Sequence, residues 1–143
     1  MSTTLHAVFR GIVGAMVMTG VRVFAKDAGL IREDPPRRLT RKRARGLLKA
    51  VPRRRSGVMV ELVHWAMGGA FGAVFGMLPA RIRRRPWSGP AFGLAVWVGF
   101  DGAVAPLLGL ERNWPKGRER LVFLVDHLLF GLVLNEMRSR PHE

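Results

Sequence analysis

Few residues in this chain are equipped for chemistry, and most of them sit inside apolar surroundings. Glu61, His64, Asp101, Asp126 and His127 interrupt long uncharged stretches, with His6 and Arg10 near the start of the first. Carboxylates and imidazoles so placed can bind and release protons, and in lipid such groups face a partner, a cavity or a transport path. Arg10 shares a helical face with His6 and Gly14 and is the candidate counter-ion for one of the carboxylates. Asp126 and His127 are adjacent, so on a helix they diverge by about 100° and cannot both face one neighbour. Glu61-Leu62-Val63-His64 matches the Glu-x-x-His element of carboxylate-bridged di-iron bundles, making Glu61 and His64 the candidate metal ligands. Such a site needs two of these elements and two further acids, and this chain has one. The plainer reading is that these groups form buried ion pairs that hold helices in register.

Other chemistries find little footing. There is no cysteine, which excludes disulfides, thiolate metal sites and thiol nucleophiles. Ser2, Ser56, Ser88 and Ser139 lie outside the apolar stretches or near their ends, with no triad order or nucleophile elbow around them. Gly68-Gly69-Ala70-Phe71-Gly72 lacks the spacing of a dinucleotide loop. No cofactor is expected.

The elements that must position these groups come from the distribution of charge. Of 143 residues, 48% are hydrophobic and 24% charged, with a formal net charge of +14, so apolar and charged residues are segregated along the chain. Apolar stretches cover residues 5–25, 58–80, 86–110 and 121–137. Each is about the roughly 17–25 residues that a helix needs to cross a hydrocarbon core. A soluble bundle would show a polar face every three or four residues. Residues 121–135 are instead apolar all round except for Asp126 and His127, and residues 58–80 except for Glu61 and His64. The Leu, Val and Phe side chains of the fourth stretch contribute about −3 to −6 kcal/mol to insertion, enough to offset one carboxylate.

Small residues support the same reading, because helices in lipid associate where backbones can approach closely. Gly68, Gly72 and Gly76 form one stripe at four-residue spacing; Gly11, Ala15 and Thr19 form a second, and Ala91, Ala95, Gly99 and Ala103 a third. His64 and Glu61 continue the first stripe and should point into the bundle.

The connector 26–57 carries twelve Lys or Arg against three acids. Within it Ala44, Leu47, Leu48 and Val51 recur at helical spacing, while Arg41, Lys42, Arg45 and Lys49 project from the other side. That pattern predicts a basic amphipathic helix on the membrane surface, with these four cations on anionic lipid headgroups. Here the pI near 11.9 reflects membrane contact and argues against a nucleic-acid partner. The first and third connectors hold sixteen cations against six in the second connector and tail, so the positive-inside rule puts the long connector in the cytoplasm. Arg10, residues 11–21 and Val23-Phe24-Ala25 imitate the three regions of a signal peptide, but the first nine residues carry no cationic side chain and the stretch ends in Arg22. It is read as a retained span.

From His64 to Gly131 the chain resembles the YagU family of small bacterial inner-membrane proteins. The resemblance rests on His64, Gly72 and Gly76, on Gly89 and Gly93, on Pro106-Leu107-Leu108-Gly109-Leu110, on Pro115 and on Asp126-His127-Leu128. It implies a multi-pass protein of the bacterial cytoplasmic membrane and carries no biochemical activity. The first fifty residues match no pattern of that family, and Asp101 stands where another polar residue is expected.

The expectation is therefore an all-α protein, a single four-helix transmembrane bundle with a surface helix in its first connector, forming a homo-oligomer. Its role is structural or stress-related, with proton-linked transport of a small solute or ion as one alternative and a metal or redox site as another.

Overall fold

The structure is a computed structural model that describes residues 3–31, 53–104 and 117–136. The described residues are helical, with no strand among them. The basic surface helix expected in the first connector, with Arg41, Lys42, Arg45 and Lys49, falls outside them, as does the Pro106–Leu110 corner.

Helix α1 spans Thr3–Asp27 and α2 spans Arg53–Met77. At about 1.5 Å per residue each runs to roughly 37 Å, longer than a ~30 Å hydrocarbon core. Both are apolar enough to cross a membrane, over Thr3–Asp27 and Gly57–Met77. α1 stops because Gly29 adopts φ of +70°, which lets Gly29 N–H bond the Lys26 carbonyl at 3.0 Å and Leu30 N–H that of Ala25 at 2.8 Å. This left-handed cap satisfies two carbonyls that the helix end would orphan. It also turns Ile31 inward onto Ala25 and Phe123.

α2 begins five residues ahead of the expected Val58 and ends at Met77 rather than Ala80. Pro79, with φ of −52° and ψ of 138°, closes it, since proline neither donates to the preceding turn nor fits within it. A one-turn helix α3, Ala80–Arg83, follows, then α4, Ser88–Gly99. Within the described part of the expected third stretch 86–110, the α-helix covers twelve residues, about 18 Å of rise. It continues as a π-helical turn, Phe100–Val104. Helix α5, Arg118–Asn135, opens after Gly117.

Across the bundle the order is α2, α1, α5, α4, each neighbour antiparallel to the next. The α1–α2 and α4–α5 seams are backbone contacts. A Cβ on Gly11 would overlap the Gly68 carbonyl, one on Gly72 the Ala7 carbonyl, and one on Gly76 would lie 2.8 Å from the Ala7 methyl. On the other seam Gly89 and Gly131 face each other's carbonyls and Gly93 faces that of His127. In α4 the contact is therefore made by Gly89 and Gly93. Ala91, Ala95, Gly99 and Ala103, expected to form the packing stripe, are exposed. Two stripes share the four-residue spacing on this helix, and the flat backbone of Gly131 selects the one that admits closest approach. Met18, Phe75, Phe130 and Leu134 fill the centre, and Phe75 meets Phe92 edge-to-face at 5.3 Å, joining the outer helices.

Candidate functional site

The candidate residues separate into three places. At the first lies Arg22, which is 3% exposed although it is among the most strongly hydrated residue types. A buried guanidinium costs several kcal/mol unless paired and hydrogen-bonded. Here its partners come from three helices. Its two terminal nitrogens lie 3.7 Å from a Glu61 carboxylate oxygen on α2 and 3.5 Å from Asp126 on α5. Thr19, one turn back on α1, accepts from Arg22 at 3.2 Å.

The Thr19 hydroxyl is used to capacity. It accepts from Arg22 and from the Trp65 indole N–H, also at 3.2 Å, which fills two lone pairs. Its single proton is within reach of the Glu61 carboxylate at 2.9 Å and the Ala15 carbonyl at 3.1 Å. The carboxylate is the stronger acceptor, because a hydrogen bond to an ionised group is about twice as strong as a neutral one.

His64 completes the cluster. Both of its ring nitrogens lie 3.2 Å from Arg22, one from each terminal nitrogen. A neutral imidazole has one accepting nitrogen, and the two ring nitrogens point apart in the ring plane, so one guanidinium cannot donate along both. The ring tautomer thus sets which of the two contacts is the hydrogen bond. Glu61 and His64 thus meet, as the glycine stripe predicts, but the charge between them is Arg22. Among the described residues no group of three or more His, Asp or Glu is arranged to hold a metal ion.

Asp126 and His127 diverge as their adjacency requires. Asp126 is fully buried beside Arg22, while the His127 imidazole turns back along its own helix, Nδ1 lying 2.7 Å from the Phe123 carbonyl. A carbonyl can only accept, so Nδ1 carries a proton.

Arg10 and Asp101 belong elsewhere. Arg10 is not the counter-ion of an interior carboxylate. It stands twelve residues before Arg22, about 18 Å along the axis, and pairs at 3.8 Å with Glu136. Its guanidinium also approaches the Val133 carbonyl at 3.4 Å. Asp101 lies in the π-helical turn at the opposite end and pairs with Arg120, whose guanidinium sits 5.3 Å from the Trp97 ring centre.

Sequence reasoning missed Arg22, Thr19 and Trp65 as members of the cluster. The signal was present: Gly11, Ala15 and Thr19 define the packed face of α1, and Arg22 follows Thr19 by three residues on that face.

A family model described as a family of unknown function, DUF6789, matches residues 1–142. The chain belongs to DUF6789. The match spans both helix seams and the Arg22 cluster, so this DUF6789 protein is matched as one unit rather than as joined halves. Neither the comparison with curated proteins nor that with solved structures returns a match. Nothing in these comparisons links the DUF6789 chain to the YagU family.

Proposed function

We propose that this chain is a multi-pass protein of the bacterial cytoplasmic membrane, with a structural role in which the Arg22 cluster locks three helices of a four-helix bundle. The observation that carries the reading is a 3% exposed arginine with partners on two other helices. Length and exposure support the membrane part. Only 33% and 28% of the apolar windows of α1 and α2 are buried by the chain's own packing. Phe24 at 72% and Met77 at 76% exposure leave apolar surface that suits lipid contact. α4 with its π-helical turn and the more polar α5 complete the bundle in this reading. The long basic connector faces the cytoplasm, so Ser56→Cys in this cysteine-free chain is protected from an impermeant maleimide in intact cells; ready labelling reverses the orientation.

The locking role is tested by replacing the cluster as a whole. A buried ionic group exchanged for apolar residues of similar size is often tolerated, whereas removal of one partner is not. Arg22→Leu alone therefore lowers the yield of folded protein in detergent, and the triple variant Arg22→Leu, Glu61→Leu, Asp126→Leu restores it. A triple variant that folds but loses a pH-dependent phenotype would instead favour a chemical role. Proton-linked transport is that second reading, favoured by the gathering of Glu61, His64 and Asp126 around one cation. In so small a bundle it requires an oligomer to form a path. Proteoliposomes loaded with a pH-sensitive dye decide it: proton flux abolished by Glu61→Gln and Asp126→Asn supports transport, and an unaltered flux removes it.

A further inference from the structure

The turn between α2 and α4 holds four arginines within five residues, and the structure divides them into two kinds. Arg83 turns inward and donates to the carbonyls of Gly76 and Leu78 at 2.7 and 3.1 Å, closing the C-terminus of α2. Arg81, Arg84 and Arg85 are exposed.

The turn is held in this shape from below. Ser88 Oγ lies 3.1 and 2.8 Å from the carbonyls of Arg83 and Arg85, and Asn135 on α5 donates its amide to the Pro86 carbonyl at 2.8 Å. The three outward cations are thus presented by a fixed backbone. Around them stand three large apolar side chains, all exposed: Met77, Ile82 and Trp87, the last at 57%. Cations beside exposed aliphatic and indole groups at the end of an apolar helix suit one environment, the boundary between headgroups and acyl chains. There guanidinium pairs with phosphate and the indole sits at headgroup depth.

We infer that the turn from Leu78 to Trp87 is a docking surface for anionic phospholipid headgroups, with Arg81, Arg84 and Arg85 on the phosphates and Met77, Ile82 and Trp87 at the acyl boundary. It lies at the end of the bundle opposite Asp27 and Arg53, the helix ends that flank the long basic connector. The inference rests on the membrane reading above, and the experiment separates the two.

The chain has no cysteine, so Ala80→Cys provides one labelling site on the exposed turn. The labelled protein is reconstituted into vesicles containing headgroup-spin-labelled phosphatidylglycerol or phosphatidylcholine, and quenching of the fluorophore is compared. Each cation near an anionic surface is worth about fivefold in local lipid preference. Quenching by phosphatidylglycerol therefore exceeds that by phosphatidylcholine in the parent. The excess disappears in Arg81→Gln, Arg84→Gln, Arg85→Gln and survives in Arg83→Gln, whose guanidinium is spent on carbonyls. Equal quenching by the two lipids, or an excess unchanged in the triple variant, overturns the inference while leaving the membrane reading intact if the protein still floats with alkali-washed vesicles. Failure to embed in either vesicle overturns both. Loss of the excess on adding inorganic phosphate, beyond that caused by chloride at the same ionic strength, assigns the cations to a free anion and overturns the lipid assignment.

Discussion

The two helix pairs of this bundle are built alike and end up chemically different. In α1–α2 and in α4–α5 a glycine meets a backbone carbonyl across the seam, Gly68 with Gly11 and Gly131 with Gly89. Gly68 and Gly131 each follow a histidine by four residues, His64 in one pair and His127 in the other. Yet His64 lies against a buried cation, and His127 bonds a carbonyl of its own helix. The difference comes from the facing helix. α1 offers Thr19 and Arg22 at the level of its histidine, whereas α4 brings the Gly93 backbone against His127. The same local element thus acquires its chemistry from what the neighbour presents.

Arginine removal should part the two pairs most widely. Arg22→Met leaves Glu61 and Asp126 in the interior without the cation beside them, and is expected to destabilise by about 3–5 kcal/mol in a denaturant titration of detergent-solubilised protein. A loss below 1 kcal/mol would show the cluster to be incidental to folding. Next come the seams: Gly68→Leu and Gly131→Leu each push backbone from backbone and should cost about 3 kcal/mol. Similar losses would show that the seams carry comparable load, and a tolerated substitution at either would break the likeness between the pairs. Thr19→Val removes one hydroxyl with three partners and should cost roughly 1–2 kcal/mol, read by the same titration. Arg120→Met is expected to cost less than about 1 kcal/mol, because Arg120 is exposed and its pair with Asp101 is screened by solvent. A cost as large as that of Arg22→Met would erase the contrast between interior and surface ion pairs.

What could be read from the sequence follows the same division. The helical class, the Gly68–Gly72–Gly76 face and the placement of Glu61 and His64 on it depend on periodicity within one helix, and they were legible. The end of α2 was missed, because the apolar run to Ala80 was carried through Pro79. Relations between helices were not legible either. The choice of Gly89 and Gly93 over Ala91 and Ala95 rests on the shape of α5, and no spacing within α4 encodes that shape. Arg22 was missed because composition placed it at the margin of an apolar run. Its depth is set by α2 and α5, which close over it. Arg10 was overvalued for the converse reason, since its nearness to apolar residues said nothing of the end of the bundle at which it lies.

The separation of Arg22 from its partners also sets a schedule for synthesis. Glu61 follows it by 39 residues and Asp126 by 104. At roughly 5–20 residues per second, the ribosome completes the second carboxylate about 5–20 s after the arginine. During that interval α1 carries a cation whose full complement does not yet exist. Chains truncated before Asp126 should therefore be degraded faster than the same chains carrying Arg22→Leu, as followed by pulse-chase labelling. The arginine that fastens the finished bundle is the residue that most needs shelter while the bundle is being made.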